Sequence, residues 1–264
     1  RSLRDVLIPV DPRFFRPGRN CLVFHISADP RYLNSGLWRP GDYVIDDLSI
    51  LSVKNSELIT LILLSLYFSV GLFHIVMFFR QTGEPYNFYF ASFAIVIALY
   101  LFARTHTVAH VLADSQIVQR IEFFSLFLLF PLGGSFLDSI LSGRFSRFTR
   151  AIWVFNVSLA LASPPAPLTF ARDLITIWQF LSVIPILYYI LSIAGSIRKE
   201  VQNLSLDLNG PRAFYIALVD SVPGNLLLGT VFLSLCAAFD IIDSVFFKNE
   251  TLVTRYGFLF FVSS

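Results

Sequence analysis

The sequence predicts a mainly α, polytopic membrane helix bundle. It has six complete transmembrane helices and the start of a seventh, preceded by the last strands of a β-sandwich outside the membrane. Three observations lead there. The 264 residues are 55% apolar and only 14% charged, with a mean hydropathy of +0.68, whereas soluble domains carry about 25% charged residues. Uncharged runs long enough to cross a bilayer recur after Glu57. Before that point, the chain is charged and rich in turns. The 29 Phe, 10 Tyr and 3 Trp argue against disorder. A net charge of +2 gives no footing for nucleic-acid binding, and two cysteines make no disulfide framework. The chain starts at Arg1, has Met77 as its only methionine and ends at Ser264 within an apolar run, so it reads as an internal piece of a longer protein.

Residues 1–53 form the first unit and residues 54–264 the second. Residues 1–57 carry eight of the 20 basic residues and seven acids. Residues 6–10 (Val-Leu-Ile-Pro-Val) read as a short strand. Arg16-Pro17-Gly18-Arg19-Asn20 is a turn, because Pro presets φ and Gly tolerates positive φ. Residues 21–27 are a second strand, rich in branched and aromatic side chains. Leu37-Trp38-Arg39-Pro40-Gly41 is a further turn, and residues 43–51 a third strand. Three strands make a poor domain alone, so they read as the end of a sandwich that begins upstream.

The helical spans follow. Residues 58–79 hold no formal charge and could cross a core of about 30 Å at 1.5 Å per residue. Residues 86–103 are an uncharged second span. Residues 117–140 are a third, with Arg120, Glu122 and Asp138 near its ends. Residues 151–168 are a fourth, closed by Pro164-Pro165-Ala166-Pro167. Residues 174–197 are a fifth, with Pro185 as its kink. Residues 223–247 are a sixth, and residues 256–264 begin a seventh. Soluble helices are amphipathic, whereas these spans are apolar all round.

Basic residues set the orientation. With residues 1–57 outside, the inside connections hold Arg80, Arg144, Arg147, Arg150, Arg198, Lys199 and Arg212. The outside connections hold Arg104, Arg120, Arg172, Lys248 and Arg255. The excess places the N-terminal part outside and the end of the seventh helix inside.

Several stretches together resemble a known bacterial group. They are Pro17-Gly18-Arg19-Asn20-Cys21-Leu22-Val23-Phe24-His25-Ile26, Gly36-Leu37-Trp38, Tyr67-Phe68-Ser69-Val70-Gly71-Leu72-Phe73-His74, Ile121-Glu122-Phe123-Phe124-Ser125-Leu126 with Phe130-Pro131-Leu132, Phe239-Asp240-Ile241-Ile242-Asp243, and Tyr256-Gly257-Phe258-Leu259-Phe260-Phe261. In order and spacing they resemble the seven-transmembrane receptors with diverse intracellular signalling modules. The likeness runs from Val6 to Ser264. It departs at residues 198–222, a long connection in which Asn209-Gly210-Pro211 is a turn and a short interfacial helix follows. The resemblance implies a jelly-roll sensor for the first unit and a bacterial inner-membrane location. It implies a small, carbohydrate-like ligand outside and a cytoplasmic output beyond residue 264, such as a histidine kinase, cyclase or phosphatase. A kinase or cyclase output would imply a homodimer.

Ionisable groups at membrane depth cost about 2.5–3.5 kcal/mol on insertion scales. Asp240 and Asp243 are three apart on one helix face. They read as carboxylates reaching the outer interface, as a polar contact coupling helix six to the sensor, or as a cation site. His106, His110 and Asp114 follow i, i+4, i+8 and would line one face if helix two continued past Ala103. That spacing suits zinc weakly, with Glu122 as a further ligand only if helix three packs alongside. His74 reads as a neutral histidine bonded to a neighbouring helix, or as a pH sensor. Gly133-Gly134-Ser135 reads as a close-packing site, since no Gly-x-Ser-x-Gly elbow surrounds the serine. An aspartyl protease needs two facing carboxylates. Asp240 and Asp243 share one helix, and Asp138 falls at the opposite membrane face. Cys21 and Cys236 lie in different layers and are expected unpaired.

The first functional reading is a receptor module without catalysis of its own in this region and without a cofactor. Its partners are the lipid bilayer and an extracytoplasmic ligand. Trp38, Arg39 and residues 46–57 would form the joint between sensor and helix one. The rival reading is a transporter or transporter subunit, which predicts broken helices around a midplane polar site. An intramembrane enzyme comes third, because the sequence offers no nucleophile–base pair.

Overall fold

The computed structural model describes residues 10–15, 17–19, 21, 23, 57–81, 83–105, 107–112, 114–204, 210–243 and 253–263. The three expected strands lie outside these residues, apart from Val10, Cys21 and Val23. Within the predicted turn, Gly18 takes φ 107°, as its lack of a Cβ allows. A 3-10 turn at Pro12–Phe14 precedes it. There Arg13 donates to Asp11 at 2.6 Å and holds that carboxyl below its ordinary range.

The described structure is all-helical. The helices are α1 (Leu58–Arg80), α2 (Tyr86–Ala103), α3 (Val108–Val111), α4 (Ser115–Leu141), α5 (Arg147–Ala162), α6 (Leu168–Leu181), α7 (Val183–Leu204), α8 (Gly210–Val219), α9 (Val222–Ile242) and α10 (Thr254–Ser263). Five stretches are long and apolar enough to cross a membrane: Leu58–Arg80, Tyr86–Ala103, Gln116–Leu141, Asp173–Leu204 and Val222–Ile242. This is a multi-pass membrane protein.

Two expected spans are shorter. The fourth begins one turn earlier than residue 151, because Ser146 caps α5 by accepting from the Thr149 amide at 3.0 Å. It stops at Ala162. Pro164, Pro165 and Pro167 have no N–H to continue the ladder, and Leu168 opens the next helix instead of closing this one. Sixteen residues rise about 24 Å. The seventh stretch, α10, has ten residues.

Span five is interrupted at Ser182, three residues before the expected kink at Pro185, while the backbone stays αR there and the apolar stretch runs on as Asp173–Leu204. Pro185 cannot donate to the Leu181 carbonyl, and the chain divides at Ser182 into α6 and α7. The connection before helix six does contain a short helix, α8. Ser221 then caps α9 by accepting from the Gly224 amide at 3.1 Å, which fixes the start of helix six at Val222. Its expected last residues, 244–247, lie outside the described residues.

The helices pack largely in chain order. α1 lies on α2, α2 on α4, α4 on α5 and α7, α7 on α8 and α9, and α9 on α10. α10 returns to α1. The centre is aromatic. Phe258 and Phe261 of α10 meet Phe93 of α2 at 5.5 and 6.2 Å, and Tyr67 of α1 stands edge-on to Phe258 at 4.7 Å. Tyr67 and Phe258 are fully buried. The two glycines singled out in α4 serve close packing. Gly134 faces the Tyr189 phenol of α7, and Gly133 faces the Phe93 ring, which a Cβ at that position would meet at 3.3 Å.

Candidate functional site

Polar groups collect at the end of the bundle where α1 begins. There α1, α9 and α10 are tied together by hydrogen bonds that begin with an unmet backbone need. The first amides of a helix have no partner inside it. For α10, Asp240 of α9 supplies one. Its carboxylate accepts from the Val253 amide and the Thr254 amide, both at 2.8 Å. A negative charge at a helix N-terminus is also favoured by the helix dipole.

The next residue, Arg255, reaches α1. Its guanidinium donates to the Thr60 hydroxyl and lies 4.7 Å over the Tyr256 ring. Its backbone carbonyl accepts from the Tyr67 hydroxyl. Gly257 then lets α9 approach closely, since a Cβ there would sit 2.8 Å from the Cys236 Cβ. Cys236 is buried and unpaired, and Cys21 is exposed and unpaired. Asp243, one turn beyond Asp240, is buried at the end of α9.

A second set of contacts adjoins the first. Glu57 precedes α1 and accepts from the amide and hydroxyl of Thr107, both at 3.2 Å. The Arg104 side chain donates to Tyr100 at 2.8 Å and lies 3.8 Å from Glu122 of α4. The last residue of the expected sensor-to-helix joint is therefore bound to the turn after α2. Trp38 and Arg39 lie outside the described residues.

The zinc reading required helix two to continue past Ala103, and it does not. The chain turns at Arg104, where the cap amide bonds back to Leu101 and Phe102. His106 lies outside the described residues. Asp114 caps α4, accepting from the Gln116 amide at 2.8 Å. No group of three metal-ligating side chains occurs among the described residues.

The other singled-out groups also have structural partners. His74 Nδ1 bonds Asn87 of α2 at 2.9 Å, with Phe90 against its ring at 4.5 Å. Glu84 accepts from Asn87 at 3.2 Å and from Tyr86 at 2.6 Å. Ser135 donates to the Pro131 carbonyl and accepts from the Trp153 indole, both at 2.7 Å. Neither partner is a base. Asp138 accepts from the Ser146 amide at 2.7 Å at the far end of α4, away from Asp240 and Asp243.

Over residues 56–263 the chain matches the family described as 7TM diverse intracellular signalling. The chain belongs to that family. No curated protein and no solved structure matches it. The matched family is a membrane signalling domain, and the contacts among Thr60, Tyr67, Asp240 and Arg255 lie within the matched residues. Sequence reasoning had found Asp240 as a coupling candidate. It missed Thr60, Tyr67 and Arg255, whose significance comes from α10 folding back onto α1.

Proposed function

We propose that this chain is the transmembrane module of a bacterial inner-membrane receptor. Residues 1–53 close an extracytoplasmic jelly-roll sensor for a small, carbohydrate-like ligand. Seven spans follow, with α5 and α10 as the fourth and the beginning of the seventh. Helix seven leads to a cytoplasmic output beyond residue 264, which dimerises if it is a kinase or cyclase.

One observation carries this reading. The first helix after the sensor touches the helix that leads to the output, through Thr60 and Tyr67 on Arg255. Asp240 holds the start of that second helix. A displacement of α1 along its axis therefore acts on Arg255 directly. A ligand drives such a change only if it binds the two arrangements with different affinity.

The test is a distance measurement in the full-length protein. Spin labels replace the exposed Phe79 and Ser263 while a panel of oligosaccharides is screened for binding. A bound sugar should shift the α1–α10 distance by about 1–2 Å, the scale of signalling helix shifts. Arg255→Gln should keep sugar binding and lose the shift. A sugar that binds and leaves the distance unchanged overturns the receptor reading. The interruption at Ser182 is the point nearest to the broken helices of transporters, and uptake of that sugar into proteoliposomes would establish transport instead.

A further inference from the structure

A groove of about 230 Å³ lies between α4, α5, α6 and α7, beside the interruption at Ser182. Its walls include Phe130, Phe148, Phe155, Trp178 and Pro185, and they are apolar. Asn156 reaches the groove, yet its carboxamide oxygen already accepts from the Trp178 indole at 2.7 Å. Ser182 also lines it and donates to the Gln179 carbonyl, so a ligand in this groove meets mainly hydrocarbon and aromatic surface.

Charge marks one end. On α5 the groove is lined by Phe148, Ala151, Ile152, Phe155 and Asn156, a stripe at helical spacing. Arg147 stands one turn before Ala151 on the edge of that stripe, in the first turn of the helix. Arg144 and Arg150 flank it. All three are exposed, and none forms an ion pair among the described residues. A long arginine at a helix end extends its head to the membrane surface while its stem lies along the apolar wall. Basic pockets between transmembrane helices select acidic lipid head groups.

We propose that this groove binds one anionic phospholipid. Its phosphate lies at Arg147, with Arg144 and Arg150 adjacent, and an acyl chain passes Phe148 toward Trp178 and the interruption at Ser182. In the orientation proposed above, this lipid belongs to the cytoplasmic leaflet. The site does not depend on the receptor reading.

Native mass spectrometry of the full-length protein tests it, after exchange with phosphatidylglycerol and phosphatidylcholine of matched chains. Wild-type protein should retain phosphatidylglycerol at least about fivefold in preference, the selectivity of one arginine near a membrane surface. The triple variant R144Q/R147Q/R150Q should bring the ratio close to one. Ala151→Trp, at an exposed position of the groove wall, should lower retention of both lipids alike. Should A151W elute as aggregate, Phe155→Trp fills the same space. Equal retention of the two lipids by the wild type overturns the proposal. So does a preference that survives the triple substitution, or lipid retention that survives filling of the groove.

Discussion

Three aspartates in this chain do the same local work. Asp114 accepts from the Gln116 amide, Asp138 from the Ser146 amide, and Asp240 from the Val253 and Thr254 amides. Each meets a backbone donor at a helix start that would otherwise be unpaired. Asp114 caps its own helix, whereas Asp138 and Asp240 each sit near the end of one helix and bond the start of the next, so each carboxylate joins two helices. Asp240→Ala should cost about 1 kcal/mol, the usual value of a lost cap, and lower the thermal midpoint in detergent. Asp240→Asn should cost less, because a carboxamide keeps one of the two acceptor oxygens. An unchanged midpoint in D240A would show that water replaces the carboxylate at no cost.

At the scale of the element, one glycine and one proline decide how helices meet. Gly224 opens α9 where the chain leaves α8, and a Cβ there would sit 2.2 Å from the Leu218 carbonyl and 2.6 Å from that of Ala217. Those are backbone atoms and cannot swing aside. Gly224→Ala should therefore destabilise by about 1–3 kcal/mol, as overpacking does, despite the better helix propensity of alanine. Equal melting of G224A and wild type would mean that α8 shifts to accommodate the methyl group. At Ser182 the opposite device operates, since Pro185 withholds a hydrogen bond from Leu181 and the helix is interrupted for one residue.

The whole molecule is held by a helix that the sequence shows only as a short apolar tail. α10 has ten residues, yet Phe258 and Phe261 enter the aromatic centre between α1, α2 and α4. Phe258→Ala should leave a cavity and cost on the order of 3 kcal/mol, read as a lower unfolding midpoint. The exposed Phe260→Ala should cost clearly less. Comparable losses for the two would mean that α10 is not centrally packed.

The sequence by itself determined the membrane class, most helix positions and the short helix before α9. Hydropathy, proline and capping residues act locally, so they are legible without a fold. It also marked Asp240 and His74 as polar groups requiring partners. Tertiary structure alone decided what those partners are. The i, i+4, i+8 pattern of His106, His110 and Asp114 presupposed a helix two running past Ala103, whereas α2 ends there and the chain turns at Arg104, and a period says nothing of where a helix ends. Arg255 looked like one more loop cation until α10 brought it against Thr60 and Tyr67. Those contacts join residues nearly two hundred positions apart. No local propensity encodes them, because they arise only when the aromatic centre draws the last helix back onto the first.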